Sequence, residues 1–171
     1  LLHFFASDSP VNVWIYLFYL ITFIVPSLVF MLSLSFFIHT LIRHQALSIL
    51  LLLIVVGCLI FYVGSVGQGI FDPFGYSLPN TFSSVTGHSD LTGYLLQRLC
   101  WLFVGFGFLG FTICLFKRLS NSPENQMCVT GLSIVCMIAG ITVGSLVYSL
   151  YSQKVFARKV YTETFNKYNN V

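Results

Sequence analysis

Long apolar runs separated by short polar stretches set the architecture of this chain. From 11 to 42 the sequence VNVWIYLFYLITFIVPSLVFMLSLSFFIHTLI is almost wholly apolar. As an α-helix it would measure about 45 Å, well beyond a bilayer core of about 30 Å. Ser9-Pro10 ahead of it supplies an N-cap and a first-turn proline. Pro26 falls inside the run and predicts a kink, dividing an interfacial piece with Trp14, Tyr16 and Tyr19 from a deeper one. Ser27, Ser33 and Ser35 are placed to bond back to their own helix or to a neighbour. The turn Arg43-His44-Gln45 is so short that the next run, 46 to 64, must lie antiparallel beside the first. Further apolar runs cover 99 to 116 and 128 to 151. The pattern predicts an all-α integral membrane protein, a polytopic bundle of about four transmembrane helices with both ends on one side.

The stretch from 65 to 98 between the second and third runs is the longest that lipid would not accept. Gly67, Gly69, Pro73, Gly75, Pro79, Asn80, Gly87 and Gly93 fill it with turn formers. Asp72-Pro73-Phe74-Gly75 is its sharpest local signal. Asp can cap or form an Asx-turn, Pro fixes the next φ, and Gly permits a positive one. The expected product is a rigid turn above the second span, with Phe71 and Phe74 free to dip into the interface. Asp72 and Arg98 stand at the two borders of the stretch. If the flanking helices are neighbours, these charges can meet and staple the loop; ordinary turn chemistry is the plainer reading. Trp101, three residues after Arg98, completes an interfacial anchor on the third span.

Composition agrees with the pattern. Hydrophobic residues make up 57% and charged residues 8%, with a mean hydropathy of +0.88. A soluble domain carries about 25% charged residues, so too few charges exist here to cover a water-facing surface. The net charge of +3 is small and implies no nucleic-acid partner. Cys58, Cys100, Cys114, Cys128 and Cys136 lie within or at the ends of apolar runs, without metal-ligand spacing, and read as small buried hydrophobes. No metal or other cofactor is expected.

Candidate chemistry is sparse. Residues 11–38, 46–63, 99–116 and 127–151 contain no Asp, Glu, Lys, Arg or His. Ion-coupled carriers and proton pumps place such groups at membrane depth, so this part of the chain is no self-contained pump. His39, four residues before Arg43, reads either as a polar contact to a coupling partner or as a snorkelling interfacial residue. Gly140 and Gly144 have the spacing that lets two membrane helices approach closely, and Gly105, Gly107 and Gly110 mark a similar face on the third span. No H-E-x-x-H, G-x-S-x-G or phosphate-binding G-x-x-x-x-G-K-[ST] occurs, and an enzyme is not expected.

The positive-inside rule sets the orientation. Arg43, Lys117 and Arg118 in the two tight turns put those turns in the cytoplasm. The polar stretch, the lead-in 1–10 and the tail 152–171 then lie outside. The tail's Lys154, Arg158, Lys159 and Lys167 argue the other way. That tail is a helix leaving the membrane or a linker to a further domain, and the chain reads as a piece of a longer polypeptide.

The order of features resembles the membrane part of type-two ABC transporter permeases, above all the bacterial permeases fused to an aminopeptidase-like domain. The likeness runs over residues 10–118. It rests on Pro26-Ser27-Leu28 through Phe36-Phe37 to Arg43, on Asp72-Pro73-Phe74-Gly75, and on Gln97-Arg98-Leu99-Cys100-Trp101, with Gln where the family has Asn. Lys167 and Tyr168 in the tail are similar to the lead-in to the family's outer domain. The chain departs from the family in its loop SLPNTFSSVTGHSD, where the expected Trp is missing. The family's first spans and cytoplasmic coupling elements have no counterpart among these residues. The resemblance implies a bacterial inner-membrane permease, a separate ATP-binding subunit, further membrane spans as partners, and Asp72, Pro73, Phe74, Gly75, Arg98 and Trp101 as gate candidates. The competing expectation is a membrane anchor or scaffold for an extracytoplasmic, peptidase-like domain, with no transport role.

Overall fold

Among the described residues four helices form, each from one of the apolar runs. The structure is a computed structural model and describes residues 13–42, 44–63, 72–74, 82–83, 87–88, 90–116 and 123–169. Helix α1 covers Val13–Leu41, and α2 covers Gln45–Cys58 with a π-helical continuation Leu59–Val63. Helices α3, Leu91–Leu115, and α4, Pro123–Asn169, follow a short polar segment. Within that segment Phe82–Ser83 (β1) and Gly87–His88 (β2) make a two-residue antiparallel pairing, Phe82 opposite His88. Val13–Leu41, Leu91–Leu115 and Asn125–Gln153 are long and apolar enough to cross a bilayer, whereas the apolar helix Gln45–Phe61 is shorter. This is a helical membrane protein.

The proline expected to kink the first run stands just after a change of helix type. Helix α1 continues through Pro26, and the preceding turn, Leu20–Ile24, widens to π-helix. Proline cannot donate to the carbonyl four residues back, and its ring crowds that carbonyl. A widened turn relieves the crowding and keeps Val25 N–H bonded to Ile21 O.

Two helix boundaries differ from the sequence expectation. The polar stretch ends at Asp90, nine residues before Leu99 opens the third apolar run, because Asp90 caps α3: its carboxylate accepts from Gly93 N–H at 3.3 Å. Arg98 therefore stands two turns inside a helix instead of at a loop border. The tail is helical, the first of the two forms expected of it, and it continues the fourth apolar run. Helix α4 runs unbroken for 47 residues, roughly 70 Å at 1.5 Å per residue, and passes the end of its apolar part at Gln153 by about 24 Å. The lead-in 1–10 and the turn residues Arg43, Lys117 and Arg118, on which the orientation rests, lie outside the described residues.

Contacts join the helices in the order α2, α1, α3, α4, most extensively between α3 and α4. The buried apolar cluster lies on α1 at Phe30, Leu34 and Ile38, four residues apart. Leu51, Leu52, Val55 and Leu59 of α2 cover it from one side, and Trp101, Val104 and Phe108 of α3 from the other. Elsewhere large apolar side chains face outward, Phe61 and Trp14 among them, as lipid permits and water would not.

Lipid tails are as apolar as leucine, so burial alone does not hold membrane helices together; close van der Waals contact must. Glycine supplies that contact. A Cβ at Gly105 would meet the backbone N and Cα of Phe30 at 3.0 Å. Gly140 faces Val104 and the Cys100 carbonyl, and Gly144 faces Cys100 Sγ, so the spacing noted on the fourth run is used within this chain, against α3. Gly110 packs on Ser133 in the same way. Gly57, by contrast, has nothing among the described residues within 4 Å of its missing Cβ.

The contrast predicts opposite signs for one substitution. Alanine is the better helix former by about 1 kcal/mol, so Gly57→Ala should hold or raise the thermal midpoint in detergent micelles. Gly105→Ala should lower it, because backbone must yield and overpacking costs about 1–3 kcal/mol.

Candidate functional site at the Arg98 junction

The residues that the sequence places at opposite ends of the polar stretch meet in the fold. Arg98 on α3 is only 2% exposed, and its Nη1 donates to the Pro73 carbonyl at 3.0 Å and to Ser27 Oγ at 3.4 Å. Ser27 on α1 has one hydroxyl proton, directed at the Phe23 carbonyl at 3.0 Å and the Pro73 carbonyl at 2.9 Å. It thus bonds both back to its own helix and across to a neighbour. The Pro73 carbonyl has both lone pairs met, one from each flanking helix. Residues 27, 73 and 98 become a single junction.

The turn that presents this carbonyl is built as its sequence predicts. Asp72 Oδ1 accepts from Phe74 N–H at 2.9 Å, an Asx-turn, and Pro73 is fully buried. Asp72 is buried as well, at 4% exposure, and its charge attracts that of Arg98. Phe74 is half-buried. Gly75 and Phe71 lie outside the described residues.

A second contact steadies the same end. Tyr94, one turn before Arg98 on α3, lies 3.0 Å from Thr22 Oγ1 in the π-turn of α1. Thr22 spends its own proton on the Phe18 carbonyl at 2.7 Å, so the Tyr94 hydroxyl is the donor between them. The guanidinium carbon of Arg98 lies 5.1 Å from the centroid of Phe23 and 5.8 Å from that of Tyr94. Aromatic faces stabilise a desolvated cation by about 2 kcal/mol. The widened turn of α1 thus supplies both Thr22 and Phe23 to the site, as π-turns often do.

The remaining gate candidate, Trp101, packs inward. Its ring meets Phe30 edge-on, 4.7 Å between centroids, as part of the α1–α3 interface. His39 is exposed near the far end of α1. Among the described residues no group of three or more His, Cys, Asp or Glu is arranged to hold a metal ion. Sequence reasoning missed Thr22, Phe23 and Tyr94. Reading Asp90 as a helix cap would have placed Tyr94 and Arg98 on one helix face, four residues apart.

This arrangement ties α1, the 72–74 turn and α3 together. Removing the Ser27 hydroxyl takes a donor from Pro73 and an acceptor from Arg98. Ser27→Ala should therefore cost about 1–2 kcal/mol of stability, while Ser35→Ala, half-buried on the same helix, should cost close to nothing. A double-mutant cycle of Tyr94→Phe with Thr22→Val, read by unfolding in mixed micelles, should give a coupling of about 0.6 kcal/mol, typical of a hydrogen bond between membrane helices.

No protein-family model, curated protein or solved structure matches the chain, so its function has to be argued from this junction and the helices that carry it.

Proposed function

We propose that the chain is the membrane-spanning permease part of an ABC-type transporter in a bacterial inner membrane. In this reading a separate ATPase subunit supplies the energy for export. Helix α2 serves as a fourth span, and the polar segment between α2 and α3 is an extracytoplasmic cap. The supporting observation is the bond from Arg98 to the Pro73 carbonyl. It joins the Asp-Pro-Phe-Gly turn to the Gln-Arg-Leu-Cys-Trp helix, the two motifs on which the permease resemblance rests. A cap fastened to α1 and α3 by one polar joint is a device that helix movement opens, as an exit gate requires. ATP-driven motion would reach it through α1 and α3 as rigid elements. The runs 11–38, 46–63, 99–116 and 127–151, free of Asp, Glu, Lys, Arg and His, suit a carrier powered from outside the membrane better than an ion-coupled one.

A second reading draws on α4. A helix that continues about 24 Å past its apolar part is a stalk. It would suit a membrane anchor for an extracytoplasmic, peptidase-like domain, without transport.

The two readings part on partners and topology. Affinity purification of the chain in mild detergent should bring down an ATP-binding subunit, and a cysteine at Ser120 should react only with reagents that reach the cytoplasm. Labelling of that cysteine only from outside the cell would overturn the topology. Purification without any ATPase would favour the anchor.

A further inference from the structure

Arg98 has five N–H bonds, and among the described residues its hydrogen bonds run from Nη1. Nε and Nη2 are buried and meet no hydrogen-bond partner among the described residues. Together they form one edge of the guanidinium plane. Their parallel N–H bonds are the fork that grips two oxygens of a carboxylate or phosphate at once. The rings of Phe23 and Tyr94 stabilise the cation but do not satisfy that fork. A buried charged edge left unmet in a folded protein calls for a role.

Depth narrows that role. Arg98 immediately precedes the uncharged run from 99 to 116. Eighteen helical residues span about 27 Å, close to the hydrocarbon thickness of a bilayer, so Arg98 stands at the level of the headgroups. Local charge narrows it further. Asp72 is the acid acting on Arg98, with one oxygen engaged by Phe74 N–H. Beside that carboxylate a singly charged anion is tolerated far better than a doubly charged one.

We infer that the Nε/Nη2 edge of Arg98 is a binding site for a monoanionic oxyacid group, reached between α1 and α3 when the 72–74 turn lifts from Ser27. Such a group comes either from the phosphodiester of a phospholipid headgroup or from a soluble phosphodiester. Because Arg98 is closed over in this conformation, occupancy is linked to opening: whatever binds the fork favours the lifted turn. This holds for a transporter and for an anchor alike, and its test needs no ATPase partner.

The intact chain in phosphate-free maltoside micelles, with 15N-labelled arginine, provides the test. The Arg98 Nε–H resonance should shift saturably on adding short-chain phosphatidylglycerol. A saturable shift with dimethyl phosphate as well would identify a soluble source, and one with the lipid alone a headgroup. Arg98→Lys keeps the charge without the fork and should weaken binding at least tenfold, read from the ligand-dependent rise in thermal midpoint. Lys159→Gln, on the exposed end of α4, should leave binding unchanged. Absence of a saturable shift with both probes overturns the inference, as does equal affinity in Arg98→Lys. A resonance indifferent to both probes but moved by Asp72→Asn would assign the fork to Asp72 and also overturn it. Should Arg98→Lys fail to fold, the wild-type titration decides alone.

Discussion

The 3.0 Å bond from Arg98 to the Pro73 carbonyl is the joint on which one end of this protein depends. It is one of the two hydrogen bonds that the Pro73 carbonyl accepts, the other coming from the Ser27 hydroxyl. An arginine this deeply buried persists only where hydrogen bonds, aromatic faces and a nearby opposite charge together offset its desolvation. All three are present. Nη1 is bonded, Phe23 and Tyr94 lie beside the guanidinium, and Asp72 supplies the opposite charge. The contributors come from three stretches of chain, α1, the 72–74 turn and α3 itself, so the cation organises what surrounds it.

The middle of the helix row is held by other means. There the association rests on shape: glycines of α3 against α1 and α4, and glycines of α4 against α3. The buried cluster of Phe30, Leu34 and Ile38 is small beside the apolar surface turned outward. Dispersion and close approach dominate inside the membrane, and hydrogen bonding gathers at its edge. The packing of the helices and the polar joint at one end thus rest on different interactions.

Between the two regions sits the π-turn of α1. Pro26 disrupts the helix, as its chemistry requires, but the disruption is absorbed as an extra residue in the turn before it. That extra residue rotates Thr22 and Phe23 relative to the deeper half of the helix. Thr22 then meets Tyr94, and Phe23 meets Arg98, while Phe30 still meets Trp101. A straight α-helix would not hold all three registers so readily.

The sequence alone determined the helical membrane class, the four apolar helices, the turn at Asp72-Pro73-Phe74 and the close-packing glycines. Each follows from local composition: runs without charge, an Asx-turn dipeptide, and the absence of side chains where backbones approach. Where α3 begins was also written locally, in the Asp90 cap, although the apolar run starting at Leu99 masks it. Only the tertiary structure decided what Arg98 does. Its partners lie 71 and 25 residues away, and their meeting depends on α1 and α3 being neighbours in the right register. It also decided that Trp101 faces Phe30 and that Gly140 and Gly144 serve this chain's own α3. Spacing along one helix fixes which residues share a face; the neighbour that the face meets is chosen by packing among helices.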